Sequence, residues 1–115
     1  MDININNLQK WVEEKKILEK AIRQGKRYLR EYAQEEPESF KRDLTVDAQA
    51  VDKVEFTFYR FDLSSVNPEF DINPSNYISV FIELSMNKDV LAYYKCILDL
   101  EGNIFDDYLK DKYYC

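Results

Sequence analysis

An α+β fold, with a long N-terminal amphipathic helix on one face of a three- or four-stranded antiparallel sheet, follows from three features of this chain. Apolar residues recur at helical spacing from Asn6 to Gln34. The period then changes to two over residues 54–61 and 77–86. A third alternating run, 90–100, begins only a few polar residues after the second. With 115 residues the chain is read as one domain, helix region 5–35 and sheet region 52–115, long enough to bury a core without disulfide or metal staples.

The helix rests on Leu8, Trp11, Leu18, Ile22, Leu29 and Tyr32, with Val12, Ala21 and Tyr28 flanking that stripe. Asn4, Asn6 and Asn7 are available as N-caps, and Ile3 can staple onto Leu8 if Asn4 is the cap. Glu35, Glu36 and Pro37 mark its end. A continuous helix of about 29 residues is roughly 44 Å long, more than the roughly 35 Å diameter of a compact domain of this size. It must overhang, bend or break. Gly25 offers either a break or a close backbone approach, and the sequence does not choose between them.

Residues 37–50 are polar, with room for a helical turn over Glu38–Asp43. In the first strand Val54, Phe56 and Phe58 alternate with Glu55, Thr57, Tyr59 and Phe61. In the second, Ile78, Val80, Ile82 and Leu84 share the face meant for the helix. The segment Asp62–Asn76, with Pro68 and Pro74, is too long for a hairpin turn and reads as a surface connection. A three-residue loop, Asn87–Asp89, sets Leu84 opposite Ala92, Ile82 opposite Tyr94, Val80 opposite Cys96 and Ile78 opposite Leu98. A two-residue loop moves Lys95 opposite Val80 and spoils the face. After a turn at Glu101–Asn103, the residues Ile104, Phe105, Tyr108 and Leu109 form a short terminal helix or a fourth strand.

Chemistry is narrowed mainly by what the sequence lacks. There is no histidine, which removes Ser-His, Cys-His and His-metal constellations. The two glycines, Gly25 and Gly102, cannot make a phosphate-cradling loop. Two cysteines without histidine cannot complete a structural zinc site. Asp99, Glu101, Asp106 and Asp107 cluster near the Gly102 turn, but their spacing does not match a calcium loop and acidic turns are usually solvated. Cys96 reads as a buried, inert thiol, and a reduced pair with Cys115 is favoured over a bridge. No enzymatic activity, cofactor or metal is expected. No apolar run reaches the roughly 18 residues of a membrane span, and the N-terminus resembles no secretory leader, so the expected location is cytoplasmic.

Two surfaces remain. Residues 1–36 hold 8 Lys+Arg against 7 Asp+Glu, whereas residues 37–115 hold 8 against 15. Lys16, Lys20, Arg23, Arg27 and Arg30 recur at helical spacing about 200° from the apolar stripe, a solvent-facing basic row that suits nucleic-acid phosphates. The sheet face away from the helix carries Tyr59, Phe61, Tyr77, Phe81, Leu91, Tyr93 and Ile97 with Glu55, Glu83 and Lys95. That is unusually aromatic for a solvated face. Either the terminal segment or the long connection covers it, or it binds a protein, because Tyr-rich surfaces bury large area at little rotamer cost.

A small acidic Tyr-rich α+β chain without catalytic equipment is similar in kind to bacterial immunity proteins and other small inhibitors, a likeness that transfers no residues. The leading expectation is therefore a non-enzymatic module that occludes a basic or catalytic protein surface through Tyr59, Tyr77, Phe81, Glu83, Tyr93, Asp106 and Asp107. The alternatives are a nucleic-acid-associated regulator using the basic row, and a structural subunit that homodimerises through the helix.

Overall fold

The computed structural model describes residues 16–65 and 76–113, together with Lys10 and Glu13. The described elements are α1 (Ile17–Glu35), α2 (Pro37–Leu44), a 3-10 helix (Ala48–Lys53), and four strands: β1 (Glu55–Ser65), β2 (Asn76–Met86), β3 (Asp89–Asp99) and β4 (Ile104–Asp111). The strands form one antiparallel meander in the order β1-β2-β3-β4. The buried side chains of both α-helices join those of the sheet in a single core cluster. The fold is the α+β arrangement expected, and its last element is a fourth strand, not a terminal helix.

The long helix does break, but not at Gly25. Lys16 adopts a left-handed conformation, φ 52° and ψ 42°, immediately before α1 begins. Lys10 and Glu13 are helical on the other side of it. The proposed Asn caps, the Ile3–Leu8 staple and Trp11 fall outside the described residues. Within α1 the fully buried line is Ile17, Ala21, Gly25, Leu29 and Ala33, a strict four-residue repeat in which three members are small. Leu18, Ile22, Tyr28 and Tyr32 flank it, half-buried.

Small residues line the centre because the sheet comes close there. A Cβ on Gly25 would lie 2.9 Å from Tyr94 Cδ2 and 3.0 Å from Phe56 Cε2. The close-approach alternative is thus the one realised.

Past Pro37, which suits the first turn of α2, Phe40 and Leu44 are buried and extend the core. Helix α2 stops at Thr45, which takes φ 62° and donates its N–H to the Lys41 carbonyl at 2.8 Å. The two helices are tied by the Tyr32 hydroxyl, which donates to the Asp43 carboxylate. Asp47 caps the 3-10 helix, its Oδ1 accepting from the Gln49 N–H at 2.9 Å.

The β2–β3 pairing has the expected register, with Leu84 opposite Ala92, Ile82 opposite Tyr94, Val80 opposite Cys96 and Ile78 opposite Leu98. Its turn differs. Met86 pairs with Asp89, so only Asn87 and Lys88 turn the chain, both at positive φ as a two-residue hairpin demands. A bulge then sets Ser85 against Val90 and Leu84 against Ala92, leaving Leu91 as the extra residue. That one residue restores the apolar face which a two-residue turn alone would have lost.

A second bulge corrects the reading of β1. Phe58 pairs with Ile82 but Arg60 pairs with Phe81, so Tyr59 is extra and the alternation inverts after it. Phe61, expected on the outer face, pairs with Val80 on the helix side, and Arg60 takes its place outside. Strand β1 also continues to Ser65, into what was read as connection; residues 66–75 lie outside the description.

Two predictions arise from these contacts. Ala in place of Gly25 normally adds about 1 kcal/mol of helix propensity, but overpacking a core typically costs about 1–3 kcal/mol. Tyr94 is fully buried and cannot withdraw. Denaturant unfolding of Gly25→Ala should therefore show a net loss of about 1 kcal/mol, and Gly25→Val a larger one. The second concerns alkaline pH. Burial, and then the hydrogen bond to Asp43, push the Tyr32 hydroxyl from 10.0 up to about 12. A raised folded-state pKa contributes stability that is complete below 10.0 and lost as pH rises through about 12. Tyr32→Phe should thus be less stable than the parent at neutral pH, with the difference closing across that window in urea titrations.

Candidate functional site

The outer face of the sheet is built by strand register. One row runs straight across four strands: Arg60 on β1 opposite Phe81, Phe81 opposite Lys95, and Lys95 opposite Tyr108. Cations and rings alternate along it. The Arg60 guanidinium carbon lies 4.3 Å from the Phe81 ring centre, and Lys95 Nζ lies 5.3 Å from the same ring and 5.4 Å from Tyr108. Lys110 Nζ is 4.7 Å from Tyr108. At such distances a cation is attracted to the ring quadrupole by about 0.5–1 kcal/mol at an exposed site.

The adjacent row sets Thr57, Glu83, Tyr93 and Lys110 side by side. The bulged Tyr59 sits between the two rows, its ring 5.0 Å from that of Tyr93 and 5.7 Å from the Arg60 guanidinium carbon. On the other side of the central row, Asp62, Ser79, Ile97 and Asp106 are aligned. Tyr77 lies further along, edge-on to Phe105 at 6.0 Å.

Of the residues read from the sequence as a protein-binding set, Tyr59, Tyr77, Phe81, Glu83, Tyr93 and Asp106 therefore share this face. Asp107 does not. It pairs with Cys96 on the helix side, where its Oδ2 accepts the Tyr94 hydroxyl at 2.7 Å and the Gln24 amide at 3.2 Å. Burial is uneven among the six. Phe81 is 2% exposed and Tyr93 7%, whereas Tyr59 is 42% exposed. Of the two segments read as possible covers for this face, the terminal one forms edge strand β4 instead, and the long connection at residues 66–75 lies outside the described residues.

Arg60, Tyr108 and Lys110 complete the site and were not among the residues read from the sequence as a binding set. A bulge cannot be seen in a period-two count, so Arg60 counted as inward. Tyr108 and Lys110 needed β4 to be recognised as a strand, and alternation from Lys95 outward was the available signal.

Exposed apolar side chains gather at one margin. Phe58, Tyr59 and Leu63, at 40%, 42% and 46% exposure, all belong to β1. Arg60 Nε is buried and 3.3 Å from Asp62 Oδ2, within ion-pair range but without hydrogen-bond geometry.

The basic row on α1 is mostly engaged within the chain. Lys20 Nζ donates to the Gly102 carbonyl at 3.2 Å, Arg27 lies 3.6 Å from Glu31, and Arg30 lies 3.1 Å from Asp52. Lys16 is the left-handed residue ahead of the helix, and Arg23 is exposed. Lys20, half-buried against the β3–β4 turn, departs from the solvent-facing row that was expected.

Near that turn, Asp99 is occupied as a backbone cap: Oδ1 accepts the N–H groups of Glu101 and Asn103, each at 2.9 Å. Burial raises its carboxyl, but these hydrogen bonds outweigh burial and leave it below the ordinary value. Among the described residues no group of three or more His, Cys, Asp or Glu is placed to hold a metal ion. No described helix is long and apolar enough to cross a membrane.

The geometry defines a class: a four-stranded antiparallel meander with helices on one face and a cation–aromatic lattice on the other. Comparison with known proteins adds no relative, since no family model, no curated protein and no solved structure matches the chain.

Cys96 is fully buried, and burial pushes its thiol up to about 12. The thiolate is the reactive form. Peptide mapping after alkylation at neutral pH should find Cys96 unmodified in the native protein and modified after denaturation.

Proposed function

We propose that this chain is a non-enzymatic protein-binding module that works by occlusion, through the outer face of its sheet. The observation that supports this reading is the Arg60–Phe81–Lys95–Tyr108 row, flanked by exposed Tyr59. Rings held between cations lose little freedom when a partner covers them, and Tyr and Arg are the side chains that most often dominate protein interfaces.

Its charge pattern refines the partner. Charges of both signs are spread across the face: Lys95 and Glu83 lie on the central strands, Arg60 and Asp62 on edge strand β1, and Lys110 and Asp106 on edge strand β4. A partner surface that carries both signs of charge complements that arrangement better than a uniformly basic one. An inhibitor or immunity-type role is the form of this function that asks for no catalytic group, and a cytoplasmic setting suits the reduced, buried Cys96.

Affinity capture from lysate of the source cells, with nuclease treatment, tests this reading. A protein retained by the parent chain should be lost, by at least about tenfold, from a Tyr59→Ala/Tyr108→Ala variant whose circular dichroism is unchanged. An Arg23→Glu/Arg27→Glu variant should retain it. Loss from the helix variant instead, or loss on nuclease treatment alone, overturns the assignment to the sheet.

A further inference from the structure

The two edges of the sheet are unequal. Strand β4 has 8 residues. Four of them, Asp106, Asp107, Lys110 and Asp111, are charged, which discourages pairing with another chain. Strand β1 has 11 residues. Only Glu55, Arg60 and Asp62 are charged there, and it carries Phe58, Tyr59 and Leu63, three of the four exposed large apolar side chains among the described residues. No described strand pairs with its outer side. A long apolar edge of that kind is a template for a further strand.

The sequence of β1 fits one occupant particularly well: itself. About a two-fold axis through Phe61, an antiparallel second copy sets Arg60 opposite Asp62 of the second copy, and Asp62 opposite its Arg60. The bulged Tyr59 is then passed over, because it shares the outer side with Arg60. The next pair is Phe58 with Leu63 of the second copy, again twice by symmetry. All four of these residues fall on matching faces: Arg60 and Asp62 outward, Phe58 and Leu63 on the helix side. A register centred on Arg60, with Tyr59 again passed over, instead sets Arg60 against Arg60 of the second copy and Asp62 against Thr57, so it opposes like charges and forms no ion pair. The ill-directed contact between Arg60 Nε and the chain's own Asp62 leaves this guanidinium able to take a better-placed carboxylate.

We propose that two copies of this chain pair antiparallel through β1 about Phe61, fusing their sheets into one of eight strands. This interface lies at the sheet edge and shares Arg60 and Asp62 with the outer face, whereas Leu63, opposite Ile78 on the helix side, belongs to the edge alone and separates the two readings.

Sedimentation equilibrium of the full chain over a wide concentration range tests it. The parent should approach twice the 13.8 kDa monomer mass, and Leu63→Lys, changed at an exposed side chain, should remain a monomer. Arg60→Glu and Asp62→Lys should each be monomeric alone yet form a mixed dimer on combination, since each supplies the charge that the other lacks. Circular dichroism confirms that each variant is folded. A parent that stays monomeric at every concentration overturns the proposal. So does a dimer that survives Leu63→Lys, which assigns association to another surface such as α1, or folded charge variants that fail to associate when mixed.

Discussion

The approach of α1 to β3 at Gly25 and Tyr94 is the constraint from which the rest of the packing follows. A tyrosine fully buried beneath a helix brings a hydroxyl with it, and an unsatisfied hydroxyl in a core costs about 1–3 kcal/mol. Asp107 accepts that hydroxyl, and the same oxygen accepts Gln24 from α1. Burial and the Asp107 hydrogen bond both raise the Tyr94 pKa, so the phenol stays protonated and remains the donor. For Asp107 to be there, β4 must pair with β3 in the observed register, which sets Asp107 opposite Cys96. For Gln24 to be there, the small line Ala21–Gly25 must face the sheet. One polar contact therefore couples the rotation of the helix to the register of the last strand.

The outer face depends on a different device. Each strand pair contains one irregularity, between Phe58 and Arg60, Leu84 and Ser85, and Ile97 and Leu98. The extra residues at these shifts are Tyr59, Leu91 and Phe105, all large and apolar. Tyr59 lies on Tyr93, Leu91 belongs to the core cluster, and Phe105 meets Tyr77. Bulges thus place side chains that a regular pleat would misdirect. The one in β1 matters most, because it turns Arg60 outward and completes the alternation of cation and ring.

Legibility followed the same division. Regular stretches of β2 and β3 could be paired residue by residue, since a one-residue slip puts Lys95 against Val80 and no compensating contact exists. The turn between them could not be counted, because a three-residue loop and a two-residue turn plus a bulge produce one register. Arg60 was lost for a related reason: a bulge leaves no trace in alternation. Gly25 was ambiguous because the ring that approaches it is remote in sequence. The break at Lys16 had no signal of its own, lysine being an ordinary helix former. Tyr77, Phe81, Glu83 and Tyr93, taken from strand alternation, landed on one face, whereas Asp107, taken from the acidic C-terminal segment with no strand count behind it, pairs with Cys96 on the helix side.

The charge split along the chain gains a physical reading from these placements. Of the N-terminal cations, Lys20, Arg27 and Arg30 have partners within the chain, in the β3–β4 turn, Glu31 and Asp52, and the positive charge there is partly balanced locally. The net charge of −6 therefore acts on any encounter as a diffuse repulsion toward other acidic molecules. At physiological ionic strength that field decays over about 8 Å, so short-range complementarity decides what binds. The outer face concentrates three cations among rings within a few residues of exposed Tyr59. An acidic protein that keeps its cations stacked on aromatics holds them where desolvation by a partner costs least, because a ring already supplies part of the interaction that water would otherwise provide.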